Sequence, residues 1–105
     1  MIINYKHNNM KTLINTDSNG ATKNVKDIVF WGDGDTFKLI CKASSQKEGW
    51  MKSTKAMEIS GLGCVVQVTT QQGDNIAEAL VFVPDARINE IYDKETKELI
   101  GRKLI

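Results

Sequence analysis

The stretch from Cys64 to Val83, CVVQVTTQQGDNIAEALVFV, constrains this chain more than any other. Val65, Val66, Val68, Thr69 and Thr70 are β-branched; such side chains crowd the preceding turn of a helix and sit easily on a pleated strand. Gln71 to Asn75, centred on Gly73 and Asp74, supplies the positive-φ and side-chain-to-backbone options that a reversal needs. Ile76 to Val83 answers with Ile76, Leu80 and Phe82 on one side and Ala77, Ala79, Val81 and Val83 on the other. The expectation is a long antiparallel hairpin with one face well buried and the other at least partly covered. Pro84 ends it, because proline cannot donate to a ladder in a central strand.

The rest of the chain reads as further strands joined by turn chemistry. Asn24 to Trp31, NVKDIVFW, is rich in strand-favouring residues, and Gly32 to Asp35, GDGD, makes a tight reversal. Thr36 to Ala43, TFKLICKA, alternates, which points Phe37, Leu39, Cys41 and Ala43 to the core and Lys38 and Lys42 to solvent, with Ile40 the exception. Trp50 to Ile59, WMKSTKAMEI, fits neither period well. A strand is preferred because Ser60 to Gly63, SGLG, would feed a hairpin straight into the central strand; a short helix near residues 46–56 is the alternative. Ala86 to Tyr92 and Glu98 to Leu104 flank a polar turn at Asp93 to Lys97, as a terminal hairpin would, and Gly101 marks a bulge or close packing. Lys11 to Thr16 is a further strand candidate, and Asp17 to Lys23 a loop.

Sequential strands with short connections favour a meander. The expected fold is therefore all-β: a small antiparallel meander closing into a barrel or a strongly twisted sheet. With 105 residues there is room for a single domain with a modest core. Residues 1–9, with three asparagines and the sole histidine among them, read as an N-terminal arm, and residues 10–105 as the β domain.

The chemistry-bearing residues are few. His7 is the only histidine and lies in the arm, so a histidine-based triad, general base or multi-histidine metal site on one chain is not expected. Asp33 and Asp35 are the weak metal candidates, but Thr36 to Cys41 lack the spaced oxygen ligands that a calcium loop requires, so an acidic turn is the better reading. Cys41 and Cys64 sit in strand-like apolar settings without CxxC spacing and are expected to be buried thiols. No phosphate-binding loop is present, and no cofactor is expected. A catalytic role is accordingly the least favoured class.

What remains is surface. Phe30, Trp31, Phe37 and Trp50 cluster in the first half with Lys38, Lys42, Lys47, Lys52 and Lys55. On a small barrel, exposed rings stack bases while lysines follow phosphates. The competing reading makes the rings core and the lysines a solvated face. The net charge of only +1 favours that second reading and supplies no bulk field for nucleic acid or anionic membrane. Trp50, beside Gly49, is the expected contact residue, followed by Trp31, Lys38, Lys42, Lys52 and Lys55. No long apolar run supports a membrane span or a secretory leader.

At WGDGDTFKL (31–39), EGWMKSTKAMEI (48–59), CVVQVTTQQ (64–72) and EALVFVP (78–84) the sequence resembles small uncharacterised proteins encoded by tailed bacteriophages. The resemblance covers Met10 to the C-terminus. It implies a product acting in a bacterial host cytoplasm or built into a virion, and it carries over no site residues. Three functions follow as expectations: a non-catalytic accessory protein that binds a host macromolecule or small signalling ligand, in host takeover or against host defence; a virion component pairing through strand edges; and a single-stranded nucleic-acid binder. Self-association is expected in each, because a domain this small leaves sheet edges for a symmetric partner to cover.

Overall fold

The structure, a computed structural model, describes residues 18–23, 25–32 and 34–105. The arm at residues 1–9 and the strand expected at Lys11 to Thr16 lie outside them. A single turn of helix, α1 (Ser18–Ala21), is followed by six strands: β1 (Lys38–Ser45), β2 (Trp50–Ile59), β3 (Gly63–Gln72), β4 (Asn75–Pro84), β5 (Ile88–Tyr92) and β6 (Leu99–Leu104). All pairings are antiparallel; β1 to β4 form one sheet in sequence order, and β5 and β6 form a separate two-stranded ribbon.

The central hairpin is placed as its residues dictate. Gln72 pairs with Asn75 across the two-residue turn Gly73–Asp74, and the register runs unbroken to Gly63 opposite Pro84. Gly73 takes φ 60°, which suits the first central position of a primed hairpin turn. Its N–H donates to Gly49 O at 2.9 Å, tying this turn to the one between β1 and β2. Trp50 to Ile59 is a strand over its whole length, and residues 46–49 before it form a turn, so the alternative helix near residues 46–56 does not form.

Three expectations are corrected. The sheet is not closed into a barrel among the described residues, although an open twisted sheet is compatible with this strand order. The reason lies just after β4: Asp85 takes φ 67° behind Pro84, and its N–H is held by Leu62 O at 2.9 Å, so the chain leaves the sheet instead of adding a fifth strand. The ribbon β5–β6 then folds back over one face. Second, residues 25–31 run as irregular chain, not strand. Third, β1 loses its phase. Its register with β2 slips between Leu39 and Cys41, so Ile40 packs against the core while Cys41 and Ala43 are exposed. Cys41 is therefore not the buried thiol the alternation implied.

The core is thin. Met51, Ala56, Cys64 and Val66 are the buried apolar residues among those described. Ala56, Cys64 and Val66 lie on the face that Ile40, Ala86, Ile88 and Leu104 cover. Polar ties fix the ribbon there. Ile88 N–H donates to Glu58 Oε1 at 2.8 Å, Cys64 Sγ donates to Ala86 O at 3.3 Å, and the Arg102 guanidinium reaches Leu39 O at 3.0 Å while pairing with Glu90 at 3.0 Å. On the opposite face Met51, Ser53 and Gln71 are buried, and the Gln71 amide donates to Gly73 O at 3.1 Å.

Candidate functional site

Two surfaces stand out, and both are apolar where a protein surface is ordinarily mixed. The first is the loop Ile28–Trp31. Val29 is 89% exposed, Trp31 93% and Phe30 42%, so an aliphatic and two aromatic side chains project together into solvent. The loop is held by its neighbours and not by burial. Asp35, just beyond it, accepts from the Ser18 hydroxyl at 3.1 Å and the Ser18 N–H at 3.4 Å through Oδ2, and from Phe37 N–H at 3.0 Å through Oδ1. Its carbonyl accepts from Lys38 Nζ at 3.1 Å. Partial burial works against the Asp35 carboxylate, yet the hydrogen bonds from Phe37 and Ser18, with Lys55 nearby, outweigh it and leave its pKa below the ordinary value. Asp35 thus ties α1 to the entry of β1, just after the aromatic loop. A shallow cavity of about 360 Å³ lies against it, walled by Ile28, Phe30, Trp31, Ser18 and Asp35.

The second surface is β4. Every one of its ten residues is exposed, including Ile76, Leu80, Val81, Phe82 and Val83. Being last in the four-stranded order, it also carries a row of main-chain groups that no strand among the described residues pairs with. The hairpin was expected to have one buried face and one partly covered; in the structure β3 takes the cover and β4 has almost none. Next to β4, the face beyond the ribbon holds a shallow depression of about 350 Å³ lined by Cys41, Ala43, Lys52, Thr54, Val68 and Thr70.

The residues singled out from sequence do not converge. Trp31 is the bare ring. Trp50 is half-buried, with its indole N–H donating to Glu48 Oε1 at 3.0 Å. Trp50 and Lys52 share one face of the sheet, whereas Lys55 and Lys42, which pairs with Ser53, lie on the other. Lys38 is engaged with the Asp35 carbonyl. The structure therefore divides the lysine and tryptophan set between two faces and a loop. Asp33 lies outside the described residues, and Asp35 is the staple just described. Among the described residues no group of three or more histidine, cysteine, aspartate or glutamate side chains is close enough to hold a metal ion. No helix among them is long and apolar enough to cross a membrane. Cys64 has no exposed surface, and burial, with Glu58 nearby, pushes its thiol pKa up, away from the nucleophilic form.

The sequence singles out Trp31 as a contact residue and strand edges as joining surfaces, but it does not show how bare either surface is. The run Ile28-Val29-Phe30-Trp31 reads as strand material, although it has no period and is bounded by Asp27 and by Gly32. Four consecutive apolar residues between turn formers are equally a protruding loop. For β4 the signal was apolar side chains on both faces, which is also how a doubly covered strand reads.

The model of the Lockin family matches residues 8–102. No curated protein matches the chain, and no solved structure does.

Proposed function

This chain belongs to the Lockin family, and from that premise and its bare apolar surfaces we propose that it is a non-catalytic binding protein that grips a macromolecular partner with the Ile28–Trp31 loop. The observation that carries the reading is Trp31, 93% exposed beside Val29 at 89%. Leaving a tryptophan and its apolar neighbours in water forgoes roughly 1.5–3 kcal/mol per side chain, a cost that a protein surface seldom bears without a use. Tryptophan is also the residue most enriched where interfaces concentrate their energy. The shallow cavities suit a macromolecule better than an enclosed small signalling ligand. With the resemblance to tailed-phage proteins, the partner class is a host macromolecule met in the bacterial cytoplasm, and the role one of host takeover or counter-defence.

The test is capture from bacterial lysate with wild type and Trp31→Ala in parallel, followed by reassembly of any recovered partner with the purified protein. A stoichiometric complex that Trp31→Ala weakens at least about tenfold supports the reading. A complex indifferent to Trp31, or none at all, removes it.

A second reading is favoured by β4: a virion component that joins its neighbours by strand addition, since an open apolar edge is what such joining uses. Mass spectrometry of purified particles decides between the two, and absence of the protein from mature particles excludes this one. A single-stranded nucleic-acid binder is the least supported reading, because its lysines and rings are divided between two faces and a loop, with only Trp50 and Lys52 together. It would require binding that weakens steeply with salt.

A further inference from the structure

We propose that the outer edge of β4 receives β4 of a second copy of this chain, antiparallel, with Ala79 on the two-fold axis, so that two four-stranded sheets become one of eight. This deepens the strand-edge reading by naming the neighbour. It is independent of the aromatic loop, because each surface has its own variant and readout.

The two edges of the sheet are treated differently. The β1 edge is interrupted by a bulge between Leu39 and Cys41, carries Lys38 and Lys42, and has the Leu39 carbonyl already taken by Arg102. Bulges and lysines are the devices that keep an edge from pairing. The β4 edge has none of them. It runs ten residues without a register slip, its only charged side chain is Glu78, and its proline stands at the last position. One open edge and one guarded edge allow pairing to stop at two copies, whereas two open edges would propagate.

The register follows from the turn. A two-residue turn makes Gln72–Asn75 a hydrogen-bonded pair, so Asn75, Ala77, Ala79, Val81 and Val83 spend their main-chain groups on β3. Ile76, Glu78, Leu80 and Phe82 therefore present theirs outward. In a two-fold antiparallel pairing, a residue and its opposite number lie on the same face, so the axis must pass through a residue. An axis through Glu78 would set two carboxylates against each other. An axis through Leu80 places Phe82 against Glu78 and enlists Pro84, which has no N–H. The axis through Ala79 places Phe82 against Ile76 of the second copy twice over, an aromatic with a β-branched side chain, and Leu80 against the aliphatic stem of Glu78. About eight main-chain hydrogen bonds form, and the strand overlap is nearly complete. Ile76, Leu80, Val81, Phe82 and Val83 of β4 are all exposed, and edge-to-edge pairing covers part of this apolar surface along with the main-chain groups.

The experiment measures mass by light scattering on the full chain at about 1–100 µM, with Leu80→Lys and Leu80→Glu as the paired variants. In this register position 80 faces Glu78 of the other copy. Wild type should run at about 23 kDa, twice the 11.7 kDa chain, Leu80→Lys should remain dimeric, and Leu80→Glu should raise the dissociation constant at least about tenfold. In a Cys41→Ser background, Ala79→Cys should form a cross-chain disulfide on mild oxidation while Val81→Cys, which faces Ala77, should not. A wild-type mass of 11.7 kDa throughout the range overturns the proposal; that is also the outcome if another segment of the same chain, or a different protein, is what β4 receives. A dimer equally affected by lysine and glutamate at position 80, or an open-ended series of larger species, overturns it as well.

Discussion

Gly63 shows how a single atom fixes the entry to the central strand. Its φ is 152°, in the half of conformational space that side chains avoid, and a Cβ there would run into the Val83 carbonyl and the Pro84 backbone. Neither obstacle is a side chain that could swing aside. Gly63→Ala should therefore cost about 2–4 kcal/mol in urea denaturation, with secondary structure retained. Turn propensity located the SGLG reversal, but the close approach comes from β4, twenty residues away, and no local pattern encodes it. Asp35 is a second residue whose role is tertiary. Its pKa lies below the ordinary carboxylate value in the folded protein, so ionisation favours folding above the unfolded pKa of about 4, and that contribution disappears as pH falls through the folded value. Asp35→Asn should lower the melting temperature at pH 7 and narrow the gap from wild type as pH falls through that window. Asp35 and its neighbour Asp33 stood out in the sequence as an acidic pair that might bind a cation; the chain's own donors instead surround Asp35.

At the level of elements, patterning and turn chemistry were enough for β2 to β6. Two-residue periodicity, β-branched content and the Gly73–Asp74 reversal are local, and the strands they imply are the ones that form. The failures are where one added residue or one unpaired edge decides. In β1 the bulge at Ile40 sets Cys41 opposite Thr54, on the core's face of the sheet but past the end of the covering ribbon, so it is exposed in place of the burial its alternation implied. A thiol reagent distinguishes the two arrangements. One equivalent per chain should react within the mixing time in native protein, from Cys41, and the second, from Cys64, only on unfolding. Two slow thiols would mean that Cys41 is covered and would contradict this arrangement. In the terminal hairpin, the register slip that leaves Ile100 extra opposite Ile91 and Tyr92 was foreshadowed by Gly101, because glycine in a strand commonly marks such a site. Trp31 stands among the expected contact residues, but its projection from a loop is not legible, since composition alone cannot separate a buried strand from a projecting knob.

The described part of the molecule is elongated, 50 × 32 × 28 Å, with a Cα radius of gyration of 15.2 Å against roughly 13 Å for a compact domain of about 100 residues. Four buried apolar residues stand against sixteen large hydrophobics left exposed among the described residues. A barrel would have reversed that ratio by pairing β4 back onto β1. Among the described residues the sheet is open at β4, and the proposed pairing with a second copy would close that edge. Amide hydrogen exchange, read residue by residue in dilute protein, tests this most directly. Ile76, Glu78, Leu80 and Phe82 should exchange fast and slow down as concentration rises, while Ala77, Ala79, Val81 and Val83 stay protected throughout. Equal protection of both sets at every dilution would mean that the edge is already paired within one chain, and the account would fail.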